Sequence, residues 1–335
     1  PATADDRPGR RGNGEAASSR SGRAVNLPHC SVASEEAGEP LAGTAVESVD
    51  RWLLLEVTDP WAPKAIETEA LSEDVRARLN RWLDDVPRSR LQLVRRPGRT
   101  GRKPSFIVVS SDRGAVSQIE IDRYEDLLDV DLDGMLEHST PVAQPICLVC
   151  AHGRRDRCCA QHGSAFFRAL QGRGLDLWQT THLGGHRFAA CGLWLPEGLM
   201  YGRLRPEHAD AWVSARANGT LGELARLRGR CAYDRPTQAA EIFLRSRLRE
   251  SSDDALTWVS TTASRADTWD VQFRISDVTE SVRVRLEHTG VSRPVSCGKE
   301  PEPVTRFVEV GDSAGAVGRD QSTGRRPVQD QPRGR

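Results

Sequence analysis

Lysine is nearly missing from this chain: of 335 residues, only Lys64, Lys103 and Lys299 carry an ammonium group, so arginine supplies almost all the positive charge. Formal net charge is zero, which excludes a globally basic nucleic-acid binder. Aromatics make up only 5%, and tryptophan is the commonest of them. No apolar run reaches the ~18 residues of a membrane-spanning helix. The first residues are polar with no apolar signal core, so a cytoplasmic chain is expected. Residues 1–28 and 311–335 hold too few large apolar groups to fold and are expected to be disordered tails.

The eight cysteines are Cys30, Cys147, Cys150, Cys158, Cys159, Cys191, Cys231 and Cys297, half of them within 147–159. Clustered thiols in a chain this long, with no secretory signal, point to metal or redox work rather than to a disulfide framework.

Between the tails the pattern is mixed α/β, with ordered structure expected from about residue 40. Trp52–Val57 reads as a buried strand, and Ser72 as the cap of a helix with Val75, Leu79, Trp82 and Leu83 on its apolar face. Leu91–Val94, Phe106–Val109 and Val116–Ile121 read as further strands. A second unit begins with the strand Ile146–Val149, continues through a helix ending near Gly172, and adds strands at Leu175–Thr181 and Phe188–Leu195. Helices are expected at Pro206–Ala217 and Pro236–Arg249, each with proline in its first turn. The ten arginines of 202–250 read as a solvated face. Alternation at Val271–Ile275 and Val282–Leu286 predicts a small C-terminal β extension. The expected units are 30–140, 141–250 and 251–310.

Two motifs carry the chemistry. Cys150-Ala-His-Gly-Arg-Arg-Asp-Arg-Cys-Cys159 spaces two thiols as C-x8-C, and His182-Leu-Gly-Gly-His186 spaces two imidazoles as H-x3-H. Each begins at the carboxyl end of an expected strand, where open α/β sheets place their sites. Cys150, Cys159, His182 and His186 form a complete four-ligand set for zinc or for a [2Fe–2S] cluster. Zinc sites favour shorter cysteine spacings, so Cys147-x2-Cys150 is a rival zinc knuckle. The same pair offers a thiol–disulfide oxidoreductase reading, although such pairs normally open a helix. Cys158 is a rival ligand to Cys159. Cys147 and Cys191 read as core thiols, and Cys30, Cys231 and Cys297 have no partner spacing. His152 reads either as a donor toward the site or as a solvated side chain. His162 reads as exposed on a helix, and His29, His138, His208 and His288 as surface groups. Arg154, Arg155 and Arg157 would favour a reduced, anionic centre or an acidic partner.

These motifs resemble the sucrase/ferredoxin-like family, also described as thioredoxin-like ferredoxins. That family's pattern joins C-T-[HN]-G-x-[RK]-D-x-C-C to H-x-G-G-H-x-F-A and a Y-G-R-L-like stretch, read here as Tyr201-Gly-Arg-Leu204. Gly38–Thr44, Arg235–Glu241 and Ser296-Cys-Gly298 extend the likeness, so that it covers roughly 30–310. Ala151 stands where threonine is common, which removes a hydroxyl but no ligand. The resemblance implies a thioredoxin-like ferredoxin core, a [2Fe–2S] cofactor on Cys150, Cys159, His182 and His186, and an electron-transfer role. Redox partner proteins are then expected, with no nucleic acid and no membrane. The sucrase half of the name finds no support, since no carboxylate pair sits in a glycosidase context.

Overall fold

The computed structural model describes residues 29–96, 98, 101–142 and 144–311, so the expected tails lie outside the described residues apart from Gly311. Helical structure begins with α1 (Cys30–Glu36), ahead of the expected start near 40. The first unit follows as β1 (Arg51–Glu56), α2 (Glu73–Asp85), β2 (Ser89–Arg95), β3 (Ser105–Ser110), β4 (Ala115–Glu120), α3 (Leu132–Glu137) and β5 (Thr140–Pro141). The second comprises β6 (Ile146–Cys150), α4 (Ser164–Leu170), β7 (Asp176–Thr180), β8 (Gly192–Leu195), β9 (Leu199–Tyr201), α5 (Ala209–Ala217), β10 (Leu227–Arg230) and α6 (Arg235–Leu248). Last come β11 (Thr257–Arg265), β12 (Thr268–Ile275), β13 (Val278–Pro294) and β14 (Pro301–Glu309).

β1 is apolar on both faces because it is buried on both. Leu53 and Leu55 pack with Val75, Leu79 and Trp82 of α2, while Trp52 and Leu54 face a second core on the other side of the sheet. Ser72 precedes α2 with extended backbone, but its hydroxyl makes no capping bond and is buried without a partner, contrary to the expected cap.

The two units share one topology. In the first, β1 pairs with β2 in parallel and with β3 antiparallel, and β3 pairs antiparallel with β4. In the second, β6 does the same with β7 and β8, and β8 with β9. A parallel βαβ followed by a hairpin, with its first strand central, is the thioredoxin-like arrangement, and this chain carries it twice. The copies join through β2 and β7, which pair antiparallel only at Val94–Thr180 and Arg95–Gln179. The result is one ten-stranded sheet, β10-β9-β8-β6-β7-β2-β1-β3-β4-β5. Because the strands meet at their carboxyl ends, the site-bearing end of the second unit lies at the seam. The seam is polar and satisfied: Gln92 Oε1 accepts from the hydroxyls of Thr180 at 3.1 Å and Thr181 at 3.0 Å.

Three sequence readings are corrected. The strand expected at Phe188–Leu195 begins only at Gly192, because the backbone at 188–190 is bonded across to 203–204: Phe188 O accepts from Arg203 N at 2.7 Å and Ala190 O from Leu204 N at 3.1 Å. Several arginines of 202–250 are interior rather than solvated. Arg230 and Arg245 both reach the buried Glu241, at 2.9 and 3.0 Å, and Arg228 is only 2% exposed. His162 is half-buried and pairs with Ser31 of α1 at 3.2 Å instead of standing free on its helix. The C-terminal β extension is a four-stranded meander, β11-β12-β13-β14, whose Val271, Phe273, Val284 and Phe307 pack on Ala240 and Leu244 of α6.

Candidate metal centre

β6 ends at Cys150, and the chain returns to it through a wide turn, Cys159–Gly163, that leads into α4. That return depends on a glycine: a Cβ on Gly163 would lie 1.8 Å from the Cys150 carbonyl oxygen. β7 ends at Thr180, two residues before His182. Gly184 and Gly185 then adopt φ of +97° and +68°, left-handed backbone that L side chains avoid, and carry the chain back to His186.

These turns bring three of the four predicted residues within ligand distance of one another, and His186 stands outside that group, against His182. Ligand atoms of Cys150, Cys159 and His182 all lie within 4.8 Å of one another, and Cys159 Sγ stands 3.8 Å from His182 Nδ1. The His186 ring stacks on His182 with centroids 4.7 Å apart and planes inclined by 25°. His186 Nδ1 is buried and has no hydrogen-bond partner. Both cysteines are buried, at 2% and 1% exposure. A hydrogen bond from the Cys159 thiol draws the Cys150 thiol well below its ordinary range despite burial, with His182 adding to the effect, and the same bond pushes Cys159 up. Burial, then the neighbouring His182, lowers His186 and favours its neutral form. A ready thiolate at Cys150 beside the neutral-leaning imidazole of His186 suits a thiophilic metal.

The surroundings fix these groups in place. His152 is 2% exposed, neither solvated nor aimed at the donor set as the sequence reading had it. Its Nδ1 accepts the His182 backbone N–H at 3.3 Å, so its Nε2 carries the proton and donates to Ala62 O at 2.9 Å. Arg90 donates to His182 O at 3.2 Å, and Arg228 to Gly184 O at 2.9 Å. Arg187, next to His186, pairs at 2.8 Å with the buried Glu39, which also binds Arg293 of β13 at 2.6 Å. Of the three loop arginines, Arg155 is the one that reaches both clefts beside the histidines. One cleft, of about 430 Å³, is lined by His182, His152 and Arg155, and the other, of about 570 Å³, by His186 and Arg155.

Cys147 and Cys158 are not part of this arrangement. Cys147 packs with Phe166 and Trp194 on the helix-bearing side of the sheet, whereas Cys150 lies in the opposite core with Cys159. An odd spacing on a strand sends the two thiols to opposite faces, which removes both the zinc knuckle and the thiol–disulfide pair once read from Cys147 and Cys150. Cys158 turns away from Cys159 and joins Cys30, Ala189 and Cys297 in a separate small core. Sequence reasoning missed that meeting, for no local spacing connects residues so far apart. It also missed Gly163, Glu39 and Arg228. Glu39 lies within the Gly38–Thr44 stretch of the resemblance, which was the available signal for it.

Fold and site together define a thioredoxin-like α/β protein with a buried cysteine–histidine centre at its strand ends. The chain belongs to the sucrase/ferredoxin-like family, whose model matches residues 41–227. No curated protein matches it. Among solved structures it is similar to a cysteine-to-serine variant of the thioredoxin-like [2Fe-2S] ferredoxin from Aquifex aeolicus. The two are 17% identical over 25% of this chain and 96% of that one, with a TM-score of 0.22, a fit too loose to superimpose their sites. Among the described residues no helix is long and apolar enough to cross a membrane.

Proposed function

We propose that this protein carries electrons on a [2Fe–2S] cluster held by Cys150, Cys159, His182 and His186. The observation that carries the reading is the orphaned His186 Nδ1, buried beside the Cys150, Cys159 and His182 group with nothing to bond. An unpaired buried imidazole nitrogen costs free energy that a bound metal would recover. Two thiolates and two imidazoles are a known donor set for such clusters.

When bound, the cluster would supply one-electron redox chemistry, at a potential raised toward ~−150 to +300 mV by its imidazole ligands. The chain's own part is to hold and insulate. Cys150 and Cys159 are kept from water by the sheet core. His152 and Arg90 clamp the backbone of His182, and Arg228 clamps that of Gly184. Ligation through Nδ1 would leave the remaining ring proton of each histidine on Nε2, and each histidine lines a cleft. A change in net charge at the donor set can then be balanced by losing or gaining that proton, which couples electron to proton transfer. The clefts, edged by Arg155, are where an acidic redox partner protein would dock.

The test is the visible absorption spectrum and the dithionite-reduced electron paramagnetic resonance spectrum of protein purified without oxygen, with iron and acid-labile sulfide measured on the same sample. A red-brown protein with matching iron and sulfide, and an S = 1/2 signal on reduction, supports the reading. A colourless protein whose Cys150, Cys159, His182 and His186 bind zinc instead would overturn it.

A further inference from the structure

Cys30, Cys158 and Cys297 meet outside the site just described. Their Sγ atoms form a nearly equilateral triangle with sides of 3.6 Å (Cys30–Cys158), 3.5 Å (Cys158–Cys297) and 3.7 Å (Cys297–Cys30). A disulfide would need ~2.05 Å. Sulfurs at three corners of a zinc tetrahedron, each ~2.3 Å from the metal, stand ~3.75 Å apart. The triangle has the dimensions of a zinc face.

A fourth corner is present. Asp156 Oδ1 lies 3.4 Å from Cys297 Sγ and 3.8 Å from Cys30 Sγ, and ligand atoms of all four residues fall within 4.8 Å of one another. The carboxylate is held in place by the backbone N–H groups of Cys158 at 2.8 Å and Cys297 at 3.0 Å and by the Ser296 hydroxyl at 3.0 Å. Among the described residues, His29 Nδ1 reaches Cys158 Sγ alone of the three sulfurs, at 3.7 Å. We infer that Cys30, Cys158, Cys297 and Asp156 form a structural zinc site, separate from the Cys150, Cys159, His182 and His186 centre.

Charge and placement support this. Three thiols and a carboxylate crowd one small core, with every ligand atom within 4.8 Å of the others. A divalent cation at their centre would offset the negative charge that sulfur and carboxylate ligands bring together. Cys30 opens α1, Cys158 lies on the loop that delivers Cys159, and Cys297 lies on the connection from β13 to β14. A metal there would staple three segments remote in sequence and brace the loop of the neighbouring centre. Two of the three thiols lie outside residues 41–227, the stretch matched by the family model.

The deciding measurement is zinc and iron per chain in full-length protein purified without oxygen, with zinc K-edge X-ray absorption on the same sample. The expected result is one zinc per chain, coordinated by three sulfurs and one oxygen. C30S/C297S should lose at least ten-fold in zinc while keeping its iron and its visible spectrum. If that variant fails to fold, the absorption edge of the unmodified protein still decides. A coordination shell of two sulfurs and two nitrogens would move the zinc to the Cys150 centre, overturning this inference and the electron-transfer reading together. A red-brown protein that holds no zinc, and takes up none when Zn²⁺ is added to the reduced chain, would overturn this inference alone.

Discussion

Cys147 and Cys150 stand three residues apart on β6 and face opposite sides of the same sheet, one packed against Phe166 and Trp194, the other beside Cys159. The separation makes their substitutions distinguishable. Cys147→Ala should leave the visible spectrum and iron content unchanged and cost about 1 kcal/mol of stability, the scale of one buried methylene-sized group. Cys150→Ala should abolish the iron. Absorbance and thermal melting of the two variants check the prediction, and loss of colour in Cys147→Ala would contradict it.

The Gly163 contact yields a second prediction. Gly163→Ala places a methyl group 1.8 Å from the Cys150 carbonyl oxygen, and that neighbour is backbone at a strand end rather than the yielding tip of a side chain. The variant should lose about 3 kcal/mol of stability and most of its iron. Gly311→Ala, where nothing lies within 4 Å and φ is not positive, controls for the general effect of adding a methyl group.

Glu39 governs an acid transition. Burial opposes its charge, yet hydrogen bonds from Arg293 and Arg187 hold its pKa below the ordinary 4.5. Its folded form therefore binds fewer protons than its unfolded form. The stabilisation is complete above pH 4.5 and disappears as pH falls through the lower, folded value. Glu39→Gln leaves two arginines without their anion and should cost roughly 3–5 kcal/mol at neutral pH. In denaturant titrations the gap between the two proteins should be constant at neutral pH and narrow in acid. A gap independent of pH would exclude the ion pairs as its cause.

Exchanging an imidazole for a thiolate tests the donors themselves. His182→Cys or His186→Cys should move the reduction potential downward, toward the ~−400 mV of all-cysteine plant-type clusters, and flatten its dependence on pH. Voltammetry across pH 6–9 reads both effects. An unchanged pH slope in both variants would remove the two histidines from the cluster.

Most of the strands could be read from the chain because β1, β3 and β6 are continuous apolar runs buried on both faces, and such runs need no long-range information. The proximity of Cys150, Cys159 and His182 was readable because each motif sits on one short turn at a strand end. The internal duplication was not, since the two units share strand order and not residues. Gly163 escaped notice because its backbone lies in the helical region (φ −64°), and only the strand folded back against it makes a side chain impossible. The arginines of 202–250 looked solvated because their partners Glu241 and Asp253 become partners only after α6 has packed. Cys30 and Cys297 had no spacing to read, being 267 residues apart.

That last interval also sets a timetable for synthesis. The donors from Cys150 to His186 emerge within a stretch of 37 residues. Cys30 must wait for a thiol 267 residues downstream, which at ribosomal rates of about 5–20 residues per second takes roughly 15–50 s. A nascent chain halted between residues 186 and 297 carries every donor from Cys150 to His186 beside an open sulfur triangle, so during synthesis the first donor set is complete before the second.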